Sequence, residues 1–401
     1  QTITIGSGIT VKGYGTIGDG YYGQSWINNG VIDVSTAGQT LYINPSSFTN
    51  NATVKTSTGN LYIYGGSTTV TNASSGTLTL AAGTSATISP ASFSNAGSII
   101  ANGATLDLTP TGTYANSGTL ALNAGTLNLG GAFVFADLGS GHFSRAAGTI
   151  VNMVSGTLDV GGGTLDIGSA GLFGTGGLNT FAGTIKNGTL VSGDGTVLKS
   201  SSGTLDTITI GSNLSTNSGT LYFNNGLTVA DGKTFTNGGG GWYFKGTYLG
   251  GTTDNQSILT SGAATLQLNG GALYSYNYPQ DSQTITIGSG ITVKGYGTIG
   301  DGYYGQSWIN NGIIDSSTVG QILNITSSTF TNTGSIKATA GTLSLAPAGS
   351  ATTWTNNGTM LVSAGAIINT NNRNLVNDGI IGGSGAINLG TDLGINRVLT
   401  N

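Results

Sequence analysis

The chain has 401 residues, a formal net charge of −4 and only 6% charged residues, with 72 glycines, five prolines, one histidine and no cysteine. All of its acidic residues are aspartates, and Glu, Lys and Met are scarce beside Thr, Ile, Val, Asn and Gly, which points to an all-β chain. This composition excludes a disulfide scaffold, a nucleic-acid surface built on Lys and Arg and, with no apolar run near the necessary length, a membrane-spanning helix.

The first segment, Gln1–Gly30 (QTITIGSGITVKGYGTIGDGYYGQSWINNG), returns letter for letter at Gln283–Gly312. The identity then decays: VIDVSTAGQTLYIN (Val31–Asn44) becomes IIDSSTVGQILNIT (Ile313–Thr326). Residues 1–282 therefore read as one long repeat unit and 283–401 as the start of a second copy, within one continuous solenoid over 1–401. A chain that begins on sequence recurring in mid-chain is expected to be a mature or excised part of a longer precursor.

A shorter motif lies inside the long one: a large apolar residue, any residue, Asn, any residue, then usually Gly. It places Asn28, Asn50, Asn72, Asn95 and Asn116 in the first copy and Asn310, Asn332, Asn356 and Asn377 in the second. Successive members lie roughly 21–24 residues apart, a solenoid spacing. Gly-x-Leu-x-Leu strands follow, as at Gly103–Leu108, Gly125–Leu129 and Gly341–Leu345. Each alternates apolar and polar residues with the period of a half-buried strand. Residues 136–147, with His142 and Arg145, break the pattern. Gly148–Val229 resumes it as short Gly-Thr-Leu units, and Asn237–Gly251 and Gly271–Ser282 are Gly-rich and aromatic. Two or three short strands per unit, with no room for a helix, predict a right-handed parallel β-helix of about 22 residues per coil. About 18 coils stacked at about 4.8 Å would result. The recurring asparagines are expected to form a side-chain amide ladder, helped by the tolerance of Asn for a left-handed backbone.

The runs GTIKNGTLVSGDGTVLKSSSGTLDTITIGSNLSTNSGTLYFNNGLTV (Gly183–Val229), TITIGSGITVKGYGTIG and SWINNGVIDVSTAGQTLYINPSSFTNNATV resemble the very large bacterial surface β-strand-repeat proteins. They are similar to autotransporter passengers and filamentous-haemagglutinin-type adhesins. The resemblance covers nearly the whole chain and implies an extracellular, cell-surface, β-helical protein with an adhesive or structural role. No secretion domain or C-terminal barrel is recognisable.

Right-handed β-helices also include pectate lyases and polygalacturonases, so the acidic residues matter. Glycoside hydrolysis needs two carboxylates across one cleft, and no Asp-Asp pair occurs. His142 has no second His or Cys beside it, which argues against zinc. Arg145, Arg373 and Arg397 are far apart. The best carboxylate candidates, Asp159, Asp166 and Asp194, read more simply as outward strand positions. Gly13–Gly18 and Gly295–Gly300 match G-x-G-x-x-G but open no helix, so the phosphate-binding mechanism is missing. No catalytic residue, cofactor or metal is expected.

The aromatic islands suggest contact surfaces. Tyr14, Tyr21 and Tyr22 recur as Tyr296, Tyr303 and Tyr304, and Trp242-Tyr243-Phe244 forms a third island. Tyrosine buries area at low entropy cost and suits glycan stacking or protein contacts. Trp26 and Trp308 hold the motif's apolar position and are expected inside a coil. The leading expectation is a non-enzymatic structural β-solenoid, forming a surface fibre, filament or sheath or a rod-like adhesin. Its expected partner is itself, laterally or head to tail. A carbohydrate-binding module contacting cell-surface glycans is the alternative. A polysaccharide-degrading enzyme and an ice-binding surface of Thr rows rank below it.

Overall fold

The computed structural model describes residues 1–19, 23–139, 141–245, 255–276, 283–300, 306–346, 353–371 and 374–388. It is a parallel β-solenoid of about 16 turns with about 22 residues per coil, nearly all β. The turns are fewer than the 18 expected because some coils are long. Asn152 meets Asn179 and Gly226 meets Gln256 across 27 and 30 residues, against 22 for Asn28 and Asn50. Two compact units, Gln1–Gly188 and Thr189–Asn401, divide the chain.

In the first unit each regular coil contributes three short strands. Ser25–Asn28, Val31–Val34 and Thr40–Ile43 are followed one coil later by Ser47–Asn50, Thr53–Thr56 and the start of Asn60–Asn72. Like pairs with like, in parallel and in register: Trp26 with Phe48, Ile32 with Val54, Leu41 with Leu61. The alternation of the sequence sets this register, because a slip by one residue would turn every apolar side chain outward. The interior is therefore a set of columns. Ile43, Ile63, Ile88, Leu108, Leu129 and Met153 form one, all buried. Phe48, Val70, Phe93 and Tyr114 form another. In it the rings of Phe93 and Tyr114 stack nearly parallel, 5.9 Å apart.

The glycine of the Asn-x-Gly motif is required by close approach. A Cβ on Gly97 would collide with the carbonyl oxygen of Gly76, and one on Gly118 with that of Gly97. The asparagines themselves are not left-handed. Among the described residues the non-glycine positions with positive φ are Asn187, Ser202, Thr207, Asn225 and Asn371, none of them in the motif. The expectation that Asn is chosen partly for its backbone is thus corrected. Each motif asparagine sits on extended strand, and its amide is what the position uses.

The second unit repeats the arrangement. Ser307–Asn310, Thr329–Asn332, Thr353–Asn356 and Asn374–Asn377 stack in parallel register. Its core holds Trp242, Trp308 and Phe244, each 0% exposed. Trp242 lies flat against Phe235, ring centroids 4.2 Å apart, and its indole N–H donates to Thr216 Oγ1 at 3.2 Å. One departure from the all-β expectation falls in the irregular stretch after Val134: Phe135–Leu138 is a single helical turn.

Candidate functional site

The asparagines of the first copy form a one-way ladder. Asn28 Nδ2 donates to Asn50 Oδ1, Asn50 to Asn72, Asn72 to Asn95 and Asn95 to Asn116, at 2.8, 2.8, 2.7 and 2.7 Å. All five side chains are buried, and the second amide hydrogen reaches backbone carbonyls such as Thr53 O at 3.0 Å. In the first coil the column is held by Ile5, paired with Asn28. There the Asn28 Oδ1 accepts the Gly30 N–H at 3.1 Å. At the far end the helical turn closes the ladder. Asn116 Nδ2 donates to the Asp137 carbonyl at 2.8 Å, and its own N–H donates to the Asp137 carboxylate at 2.9 Å. That carboxylate also takes the Val134 N–H at 2.8 Å. In the second unit Asn310, Asn332, Asn356 and Asn377 are joined in the same sense at 2.7, 2.7 and 2.6 Å. These residues are occupied with one another, so they build the scaffold rather than a ligand site. Asn72, which opens an Asn-Ala-Ser sequence of the N-glycosylation type, is buried within it.

Tyr114 sits beside this closure, 3% exposed, and its hydroxyl finds no hydrogen-bond partner among the described residues. Burial, and secondly the Asp137 charge, push its ionisation well above the usual tyrosine range. A raised folded-state pKa means that Tyr114 favours folding fully below the unfolded value, about pH 10. That contribution is lost as pH rises beyond it. Tyr114→Phe is therefore expected to flatten the alkaline loss of stability above about pH 10, measured by thermal melts across pH. At neutral pH it should cost nothing, since no bond is broken.

The candidate surface residues divide. Tyr14 is 63% exposed, while its twin Tyr296 is half-buried. Tyr21, Tyr22, Tyr303 and Tyr304 lie outside the described residues. Trp242 is corrected: it is wholly buried, because its inward strand position packs it on Phe235 and Phe223. It cannot serve as a contact residue. Tyr243, its sequence neighbour, points the other way.

Tyr243 belongs to an outward row that the sequence reading missed. Tyr222, Tyr243 and Tyr274 occupy the same position on successive coils, with ring centroids 5.5 and 5.1 Å apart. Tyr276 adds an edge contact to Tyr243 at 5.8 Å, and Lys245 Nζ lies 5.6 Å from the Tyr222 ring centre. The first unit carries a smaller row. Tyr42 pairs with Tyr62, and Tyr62 stacks on Tyr64 at 4.8 Å. The signal that could have found both rows is an outward Tyr between two large inward residues: Leu41-Tyr42-Ile43, Leu61-Tyr62-Ile63, Leu221-Tyr222-Phe223 and Trp242-Tyr243-Phe244.

The acidic candidates are dispersed. Asp159 pairs with Lys186 at 3.3 Å. The Gly161 N–H first, then Asn187, hold its carboxyl below the usual carboxylate range. Such a group keeps its charge and is a poor proton donor. Asp194 accepts from its neighbour Thr196 at 2.6 Å. Asp166 lines an open cleft with Phe135, Leu138, Phe143 and Leu172. It is the one carboxylate among the described lining residues, whereas acid–base glycoside cleavage needs two. Arg145 is a clip: its guanidinium donates to Thr149 and to the carbonyls of Phe173 and Gly177 at 3.0 and 2.6 Å, and burial lowers its pKa. His142 Nδ1 is 2.8 Å from the Gly118 carbonyl. Among the described residues no group of three or more His, Cys, Asp or Glu could hold a metal ion, and no helix is long and apolar enough to cross a membrane.

Comparison with protein-family models, with curated proteins and with solved structures gave no match to this chain.

Proposed function

We propose that this chain is a non-enzymatic structural protein of a bacterial cell surface, extracellular in its working form, that builds a fibre, filament or sheath or stands as a rod-like adhesin. The observation that supports this most is the union of two periodicities. A fold made only of stacked coils carries a long sequence unit whose opening segment recurs without change. Each coil touches only its neighbours, so such an array can be lengthened without a new core. A surface of Ser, Thr, Asn and Gly with 6% charge opposes side-by-side association only weakly. Electron microscopy of native material tests the reading. Filaments with a regular axial repeat are expected for a polymer and single-chain particles for a displayed adhesin. Compact particles that release reducing sugar or unsaturated products from polysaccharides would refute it.

A second reading, contact with cell-surface glycans, is favoured by the tyrosine rows. Pyranose rings stack on aromatic faces, and the Tyr222–Tyr243–Tyr274 row offers successive faces on a rigid sheet. If this row binds glycans, Tyr222→Ala with Tyr243→Ala is expected to remove most of the retention on a glycan array, and the same change at Tyr42 and Tyr62 only the smaller remainder.

A further inference from the structure

Two stretches of the first unit abandon the alternation of the coils: Ala136–Ala147 and the glycine-rich run GSAGLFGTGG at Gly168–Gly177. Such breaks in an otherwise consistent pattern are where function is expected. Both are built firmly. In the first, the helical turn Phe135–Leu138 is held by the Asp137 carboxylate, which takes the Val134 and Asn116 N–H groups. Gly139 N–H then donates to the Phe135 carbonyl at 3.1 Å and His142 N–H to the Gly139 carbonyl at 3.0 Å. Phe143 follows on a strand paired with Leu120–Leu122. In the second, three tight turns follow one another. Gly171, Gly174 and Gly177 N–H donate to the carbonyls of Gly168, Gly171 and Gly174 at 3.0, 3.0 and 2.9 Å. Phe173 anchors this loop at 0% exposure. Arg145, from the first stretch, grips its Phe173 and Gly177 carbonyls, so the spacing between the two loops is fixed.

Between them lies the open cleft that Asp166 lines, of about 430 Å³, a size suited to a small ligand. Phe135 is 36% exposed there, and Phe143 and Leu172 are half-buried. The half-buried Asp166 side chain stands among them on the strand Thr164–Asp166. Its Oδ1 takes the Gly168 N–H at 2.8 Å, and a carboxylate accepts about four bonds in all. Gly171 packs on the same residue so closely that a Cβ there would strike the Asp166 carbonyl oxygen. Asp166 is the one ionisable group among the described lining residues. This combination selects for charge. A carboxylate makes its strongest hydrogen bonds to a cation, and aromatic faces attract one. An anion is repelled, and an apolar guest without a donor leaves the carboxylate short of the water it loses.

We propose that the cleft between the Phe135–Phe143 and Thr164–Gly174 segments binds a primary ammonium group carried on a short apolar stem. Asp166 takes the charge, and Phe135, Phe143 and Leu172 take the stem. The site shares no residue with the tyrosine rows, so it stands apart from the glycan reading, and it holds whether the chain polymerises or not.

The test titrates the full chain with hexylamine, and with hexanol and hexanoate as the uncharged and anionic counterparts, by calorimetry and saturation-transfer NMR. Hexylamine is expected to bind at least about tenfold more tightly than hexanol, and hexanoate not to bind. Asp166→Asn keeps an acceptor for the Gly168 N–H, so the melting temperature should hold while the preference for amine over alcohol disappears. Thr164→Lys changes an exposed position on the same face of the strand. It sets a cation beside Asp166 and should exclude hexylamine with the fold intact. Nα-acetyl-lysine methylamide separates two sources of the same group. Tighter binding than hexylamine names a lysine side chain of a partner protein, and weaker binding a free amine. Absence of hexylamine binding, equal affinity for hexylamine and hexanol, an amine preference that survives Asp166→Asn, or tighter binding of methyl glucoside than of hexylamine would each overturn the proposal.

Discussion

Trp242→Ala is expected to destabilise the Thr189–Asn401 unit by about 3–5 kcal/mol, the range for emptying a buried aromatic site. Trp242 is 0% exposed. It stacks on Phe235 and meets Phe223 edge-on at 5.7 Å, and its N–H is held by Thr216. The coils above and below are pinned by backbone ladders, so collapse around the void is limited and the cost should fall in the upper part of that range. Denaturant unfolding of the full chain, followed by near-ultraviolet circular dichroism, reads it. Tyr243→Ala is the control one residue away. It removes an outward ring that meets Tyr222, Tyr274 and Tyr276 and should cost about 1–2 kcal/mol, less than the loss at Trp242. Equal losses at the two positions would mean that the inward–outward alternation of Gly241–Lys245 has been misassigned.

Asn72→Leu is expected to cost about 2–4 kcal/mol, although leucine is the more apolar residue and nearly the same size. Asn72 accepts from Asn50 and donates to Asn95, so its loss strands one amide donor and one amide acceptor in a buried column. Each such group costs about 1–3 kcal/mol. Partial relief comes from the Ala52 carbonyl, which already takes an Asn50 hydrogen at 3.1 Å. Asn28→Leu should cost about half as much, because only one ladder bond runs through Asn28 and its partner on the other side is Ile5. Chemical unfolding of the two variants side by side measures the difference, and a smaller loss at Asn72 than at Asn28 would count against a ladder working as a chain.

The fold was readable because its two governing features leave plain marks in sequence. Inward columns require alternation, and a shared turn requires the same residue at each coil, so Phe48-Asn50, Phe93-Asn95 and Trp354-Asn356 announce both. The ladder's closure was not readable. Asp137 ends it from a stretch that looks only like an interruption, and nothing in Ala-Asp-Leu signals that the carboxylate will receive two backbone N–H groups. The tyrosine rows were hidden for another reason. Gly-rich islands drew attention to Tyr14, Trp242 and Tyr243, whereas Tyr222, the ring beside Tyr243, lies on the ordinary strand Leu221–Asn224, one coil away rather than clustered along the chain. Burial of Trp242 follows from the same parity that turns Tyr243 outward.

The ladder also has a direction. In both units every ladder asparagine before the last hands a hydrogen to the ladder asparagine one coil later, whereas the exposed pairs Asn51–Asn29 and Asn123–Asn102 run the other way. Within each ladder the dipoles of these amides add, as peptide dipoles do along a helix, and they run from coil to coil, across the parallel strands that carry them. Any polymer made by joining such arrays end to end inherits that vector. Its two ends are then structurally different, because each ladder points toward one of them. Elongation at one tip is then a different reaction from elongation at the other, with its own rate and its own critical concentration.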